Sequence, residues 1–175
     1  MNISFITVLI FLTLSLPISF SFSAGKETLF SLGNGIFNFN KSSPRTFVQG
    51  EYKGETFFRE LRPQVGAFIT HQGSFYLYSG LAYDISLAQW ILTPSFSSGL
   101  YFKGKGRDLG FPLEFRSALE GTFRFQEGSR MGVVIYHISN AKIRLKNPGV
   151  NGIAFIISIP LKTTTDQKMS FIPFF

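Results

Sequence analysis

Alternation with a period of two residues dominates this sequence after its N-terminal segment. The clearest stretch is 114–126, where even positions are mostly charged or polar and odd positions are mostly apolar. Successive side chains of a β-strand point to opposite faces, so this alternation predicts strands with one polar and one apolar face. No helical periodicity, repeat or low-complexity tract follows the N-terminal segment. The sequence therefore predicts an all-β fold.

The composition favours a membrane barrel over a soluble sheet. Hydrophobic residues make up 45% of the chain, 22 residues are Phe, and only 15% are charged, against about 25% charged in ordinary soluble domains. No apolar run of about 20 residues follows the N-terminus, so a helical span is not expected. A barrel turns its apolar face to lipid and keeps its charges inside. A soluble sandwich fits the alternation equally well, whereas a lipocalin would need an apolar interior.

Eight predicted strands close an up-and-down barrel with both ends in the periplasm. The predicted fold class is an eight-stranded antiparallel transmembrane β-barrel of outer-membrane type. Within 114–126 we expect inward charges that pair with neighbouring strands (Glu114, Arg116, Glu120 and Arg124) and outward apolar residues (Phe115, Leu119, Phe123 and Phe125). The predicted strands lie near 28–40, 45–53, 60–71, 73–86, 89–103, 111–126, 129–139 and 151–161.

The N-terminal residues 1–23 are predicted to be a cleaved secretory signal peptide. Their apolar run ends at Pro17, and small residues follow at Ser21 and Ser23. A retained membrane anchor is the alternative, but the run is short for one. Residues 24–175 are then a single barrel domain, of which 162–175 form a C-terminal tail ending in Phe175.

The charge pattern indicates an anionic membrane surface as the environment. The net charge is +7, and eight of the 17 basic residues fall in the predicted outer loops. The phosphates of lipid A in the outer leaflet of a Gram-negative bacterium suit such a rim, and nucleic acid does not. The outer membrane of such a bacterium is therefore the expected location. The chain has no Cys, and its two His lack metal-ligand spacing, so no metal and no cofactor is expected.

One polar pair on the predicted lipid-facing side could carry chemistry. His137 and Ser139 share a face of strand seven because they are two residues apart. An imidazole beside a serine hydroxyl can accept its proton and make it a nucleophile. A chance pair, or a His that meets lipid headgroups at the rim, is the competing interpretation.

The segment His137-Ile138-Ser139-Asn140-Ala141, followed by Asn147-Pro148-Gly149, resembles the signature of the PagL-type lipid A 3-O-deacylases. These are acyloxyacyl hydrolase-like outer-membrane barrels. The resemblance implies an eight-stranded barrel without a metal cofactor and a Ser-His-Glu triad on the outer barrel surface. It also implies hydrolysis of the ester at position 3 of lipid A.

Carried over by position, the resemblance makes Ser139 the nucleophile and His137 the general base. Asn147 and Asn140 match positions that stabilise the oxyanion. The family's Glu is replaced by Asn151, which shares the lipid-facing parity of strand eight. An Asn oxygen can still accept a hydrogen bond from the imidazole, as in Cys-His-Asn sites. The catalytic set predicted here is His137, Ser139 and Asn151.

The predicted function is a serine esterase that removes an acyl chain from lipid A. Its expected partners are lipid A within lipopolysaccharide and the surrounding outer-membrane lipids, and a homodimer is left open. The alternative is a catalytically inactive structural or adhesive barrel, which would not need His137, Ser139 and Asn147 together.

Overall fold

Nine β-strands make up nearly all of the regular structure in the computed structural model, which describes residues 27–40 and 44–161. The predicted signal peptide and tail lie outside the described residues. Among the described residues, no helix is long and apolar enough to cross a membrane. The strands are β1 (Thr28–Phe37), β2 (Arg45–Lys53), β3 (Leu61–Thr70), β4 (Phe75–Tyr83), β5 (Ile85–Leu87), β6 (Trp90–Phe102), β7 (Leu113–Arg124), β8 (Arg130–Ser139) and β9 (Val150–Leu161).

The strands close into an antiparallel barrel of eight wall positions. The order runs β4-β3-β2-β1-β9-β8-β7-β6-β5, and the pairing of β4 with β6 closes the ring. The short β5 continues β4 beyond Asp84, and both pair with β6, so together they occupy one position. The Asp84 carboxylate turns inward at this break and accepts hydrogen bonds of 2.8 Å from Thr93 and from Arg130. The predicted eight-stranded barrel is confirmed.

The two faces of each wall segment divide as the alternation predicts. In β7 the side chains of Glu114, Arg116 and Glu120 are at most 4% exposed, while Leu119 and the nearby Phe125 are exposed on the outer wall. Arg124 is only half-buried at the strand end. The outer wall is apolar, as a lipid-facing surface must be.

The partners of the inward charges differ from the prediction. Glu120 accepts a hydrogen bond of 2.5 Å from Lys53, and Arg116 lies 3.9 Å from Glu51. Both partners belong to β2, which lies opposite β7 in the ring and not beside it. Neither carboxylate oxygen of Glu114 has a hydrogen-bond partner. Pairing with neighbouring strands was therefore wrong, because the interior of an eight-stranded barrel is narrow enough for side chains to meet across it.

The interior is a packed core. Near the end where β1 stops, aromatic rings from six strands contact one another; they are Phe37, Phe47, Phe68, Tyr76, Tyr101 and Tyr136. Below them the guanidinium of Arg116 lies 4.8 Å from both the Tyr78 and Tyr136 ring centres. Because side chains fill this space, a long ligand would have to bind on the outer wall.

Candidate active site on the outer wall

His137 and Asn151 are direct cross-strand partners on β8 and β9. The imidazole Nδ1 lies 2.7 Å from the amide oxygen of Asn151. The amide oxygen can only accept, so Nδ1 carries the hydrogen and Nε2 keeps its lone pair. His137 is exposed on the outer wall of the barrel. The hydrogen bond to Asn151 holds its imidazole in the tautomer that can act as a base.

Ser139 lies two residues beyond His137 on the same face of β8, at the outer end of the strand. Its cross-strand partner on β7 is Phe115, which stacks on Phe96 with ring centres 6.0 Å apart. In the described part of the chain Ser139 is half-exposed, and its hydroxyl is not hydrogen-bonded to the imidazole. A rotamer change would be needed to bring the two groups together, and catalytic hydrogen bonds often tighten only when substrate binds.

Gly149 lets the loop 140–149 lie against the free side of the imidazole. Its φ is +55°, in the left-handed region that favours glycine. A Cβ at this position would lie 3.0 Å from Cε1 and 3.3 Å from Nε2 of His137. Gly149 had no predicted role, although its place in the Asn-Pro-Gly motif was the available signal.

Asn140 and Asn147 are held together within the same loop. The Asn140 amide is fully buried and donates to the carbonyls of Leu109 (3.2 Å) and Lys146 (2.9 Å). The backbone N–H of Asn140 donates to Oδ1 of Asn147 at 3.1 Å. Both hydrogens of the Asn140 amide are thus engaged in fixing the loop, whereas the Asn147 NH2 group remains able to donate.

An apolar groove of about 490 Å³ runs down the wall from His137. We call it the acyl groove; Pro94, Ser117, Leu119, Ile135, His137 and Asn151 line it. Ser117 is the cross-strand partner of His137 on β7 and flanks it on the side away from Asn151. Pro94 and Ser117 were not predicted from the sequence, because alternation along one strand gives the face of a residue, whereas a groove depends on the register between strands.

Basic residues stand on the two loops beside this wall. Asp108 lies 2.9 Å from Lys146 and 3.9 Å from Lys103, which links loop 103–112 to loop 140–149. The hydrogen bond from Lys146 holds the pKa of the Asp108 carboxyl below its usual value. The guanidinium of Arg144 lies 5.3 Å from the Phe111 ring centre. The outer end above the acyl groove is therefore cationic.

Metal ligands are not gathered in the described ranges, which hold no group of three or more His, Cys, Asp or Glu side chains able to bind an ion. The polar groups near Ser139 are instead an imidazole and amides. They can accept one proton and donate to an oxyanion, which are the needs of acyl transfer through a serine.

Comparison with solved structures agrees with the barrel fold. The crystal structure of the outer membrane enzyme PagL matches with a TM-score of 0.61 at 16% identity, over 76% of this chain and 99% of that chain. A de novo designed transmembrane β-barrel matches with a TM-score of 0.53 at 12% identity, over 78% of this chain and 96% of that chain. At these identities both likenesses establish the fold alone. No curated protein matches by sequence.

A family profile supplies the assignment that the structural likeness cannot. The profile described as Lipid A 3-O-deacylase (PagL) matches residues 37–160, well over half of the chain and all of the segment from His137 to Asn151. The chain belongs to the PagL family of lipid A 3-O-deacylases.

Proposed function

We propose that this protein is a serine esterase that hydrolyses the ester-linked acyl chain at position 3 of lipid A, in the outer membrane of a Gram-negative bacterium. The observation that carries the proposal is the hydrogen bond from His137 to Asn151 beside Ser139, on the outer wall of a barrel of this family. A purely structural barrel has no need of an oriented imidazole next to a serine on its lipid-facing side.

The reaction begins when Nε2 of His137 accepts the proton of the Ser139 hydroxyl. The Ser139 oxygen attacks the ester carbonyl and forms a tetrahedral intermediate. The C–O bond to the sugar then breaks, and the imidazolium returns its proton to the sugar oxygen as it leaves. Water, deprotonated by the same imidazole, hydrolyses the acyl-serine and releases the fatty acid.

The oxyanion of the tetrahedral intermediate needs hydrogen-bond donors that are already in position. We assign this role to the NH2 group of Asn147, whose oxygen is engaged by the Asn140 backbone. Asn140 was predicted alongside Asn147, and we now give it a positioning role. Its own amide is occupied by the carbonyls of Leu109 and Lys146.

Substrate reaches this site sideways from the bilayer. The acyl groove below His137 suits the chain to be removed, because its lining includes the apolar side chains of Leu119 and Ile135. The basic residues of loops 103–112 and 140–149 stand where the phosphorylated sugars would lie. Association of two barrels into a homodimer stays a prediction.

Asn151 is the feature that favours the alternative, a catalytically inactive barrel. A neutral amide fixes the tautomer of His137 but stabilises the imidazolium less than a carboxylate would. The two functions differ in one observable. A deacylase removes 3-O-linked acyl chains from the membrane of a host cell, and an inactive barrel does not.

The test is mass spectrometry of lipid A from cells that lack the protein, express it, or express Ser139→Ala. We expect the wild-type protein to remove one acyl chain and Ser139→Ala to remove none. Ser79→Ala, a change at another lipid-facing serine on β4, is the matched control and should behave like wild type. Loss of the same acyl chain in cells that carry Ser139→Ala would end the serine-esterase proposal.

A further inference from the structure

A second concavity lies on the opposite side of β9 from the acyl groove. It extends over the outer faces of β9, β1, β2 and β3 and has a volume of about 650 Å³, within the range of small-molecule sites, about 300–1,000 Å³. We call it the notch. Gly50 and Ala67 form part of its lining, and large apolar side chains surround them.

The notch arises where two small residues meet in register. Gly50 on β2 is the cross-strand partner of Ala67 on β3, and both occupy outward positions. The outward neighbours two residues away are large and exposed, with Val48 59% and Tyr52 40% exposed. Two adjacent small residues therefore leave a depression in a wall that large apolar side chains otherwise cover.

Nothing in the packing of the wall requires glycine at position 50. A Cβ there would meet only Leu32, at 3.9 Å. At Gly35 and Gly99, in contrast, glycine is obligatory, since a Cβ would lie 2.0 Å and 2.2 Å, respectively, from a backbone carbonyl oxygen. Glycine weakens a strand, and in a strand interior it often marks a place where a ligand approaches closely.

Asn34 adds a polar group to the lining of the notch. It points outward from β1 between Val48 and Phe155, and it is exposed. In the described part of the chain its amide has no hydrogen-bond partner. An amide facing hydrocarbon without a partner is costly. A ligand that combines apolar chains with hydroxyl or carbonyl groups would remove that cost.

A shallower channel continues from the notch to the outer end of the barrel. Its mouth holds Thr46 and His71, whose side chains lie 3.2 Å apart at the ends of β2 and β3. From Ile36 to Phe30 the combined groove follows six residues of β1, or about 20 Å. On a strand tilted by about 40° this is a depth of about 15 Å, the hydrocarbon thickness of one leaflet.

We propose that the notch is an accessory binding site for an acyl chain of lipid A, with the Asn34 amide hydrogen-bonded to a hydroxyl or carbonyl of that lipid. The groove opens at the outer end of the barrel beside the guanidinium of Arg45, which donates a hydrogen bond to Gln72 and favours an anionic lipid. A second copy of the barrel fits poorly, because a twofold interface would place two concave faces against each other. The site is separate from His137 and does not depend on catalysis.

The test counts lipid A molecules retained by the folded barrel in native mass spectrometry. Ser139→Ala serves as the background so that no lipid is consumed, and phosphatidylglycerol serves as the competing lipid. Gly50→Leu fills the notch and should retain one lipid A molecule fewer. Gly121→Leu is the matched control on the outer face of β7, where a Cβ would meet nothing within 4 Å, and it should retain the full number.

Two further variants keep the test informative. Ala67→Leu fills the notch from β3 and should repeat the result if Gly50→Leu folds poorly. Asn34→Leu should weaken the accessory affinity about fivefold, the value of one hydrogen bond. The proposal is overturned if filling the notch leaves the lipid A count unchanged, if phosphatidylglycerol is retained equally well, or if the variants change only the monomer–dimer ratio. If the wild-type protein shows no deacylase activity but Gly50→Leu still lowers the lipid A count by one, the proposed function is rejected and the accessory site is kept.

Discussion

At the scale of single residues, we expect the amide at position 151 to determine how good a base His137 is in the proposed reaction. The oxygen of Asn151 accepts from Nδ1 and leaves Nε2 free for the Ser139 proton. An amide can also turn its NH2 group toward Nδ1, which would put the hydrogen on Nε2 and block proton transfer. A carboxylate has no such alternative, and its charge stabilises the imidazolium.

Asn151→Glu should therefore raise kcat about tenfold or more, since each tenfold needs only about 1.4 kcal/mol of transition-state stabilisation. Asn151→Leu, which removes the acceptor, should lower kcat instead. Release of fatty acid from purified lipid A in detergent measures both. A slower Asn151→Glu enzyme would indicate that residue 151 contacts the anionic substrate and does not merely orient His137.

Gly149 offers a second test at this scale. Gly149→Ala places a Cβ 3.0 Å from the imidazole and strains a backbone with φ of +55°, so kcat should fall at least about tenfold. Gly73→Ala is the control, because its φ is +77° but a Cβ there meets nothing within 4 Å. If both variants lose activity equally, backbone strain and not contact with His137 is responsible.

At the scale of elements, the hydrogen bonds within loop 140–149 fix Asn147 against the backbone of Asn140, the residue that follows Ser139. The buried Asn140 amide ties this loop to Leu109 in the neighbouring loop and to its own Lys146. Asn140→Ala should therefore release Asn147 and lower kcat about 10²-fold, the usual cost of one oxyanion donor. Asn147→Ala should cost about the same, and the double variant little more. Additive losses in kcat would show that the two residues act separately.

The strands also show where sequence reasoning stops. Parity along 114–126 correctly separates inward from outward residues, and the spacing of turns gives eight strands. The same alternation along β8 and β9 correctly places His137 and Asn151 on one face. Parity carries no information on which strands oppose each other across the barrel, so the pairing of Lys53 with Glu120 was not predictable. Parity likewise gives no sign of the break between β4 and β5 at Asp84.

At the scale of the whole molecule, the barrel keeps its stability and its chemistry on different surfaces. The inner face holds buried ion pairs beneath a layer of aromatic rings, and the outer wall carries His137 and Ser139. Lys53 is 1% exposed, and its ammonium lies 2.5 Å from Glu120 and 3.3 Å from Glu51. Lys53 thus pairs with both carboxylates inside the barrel, and Glu51 also faces Arg116 at 3.9 Å.

Lys53→Met should destabilise the folded barrel by about 3–5 kcal/mol, because it leaves the buried carboxylate of Glu120 without its cation. Lys53→Met combined with Glu120→Gln should recover part of the loss, since the double change removes the uncompensated charge of Glu120. Unfolding in urea, followed by heat-modifiable migration on gels, measures both against Lys105→Met, a control in an exposed outer loop.

The kcat of barrels that remain folded should stay within about twofold of wild type, because the aromatic layer and the wall separate Lys53 from Ser139. A Lys53→Met barrel as stable as wild type would mean that the interior carboxylates bind protons or water in place of the lysine. A stable barrel with reduced kcat would mean that the interior and the outer wall are coupled.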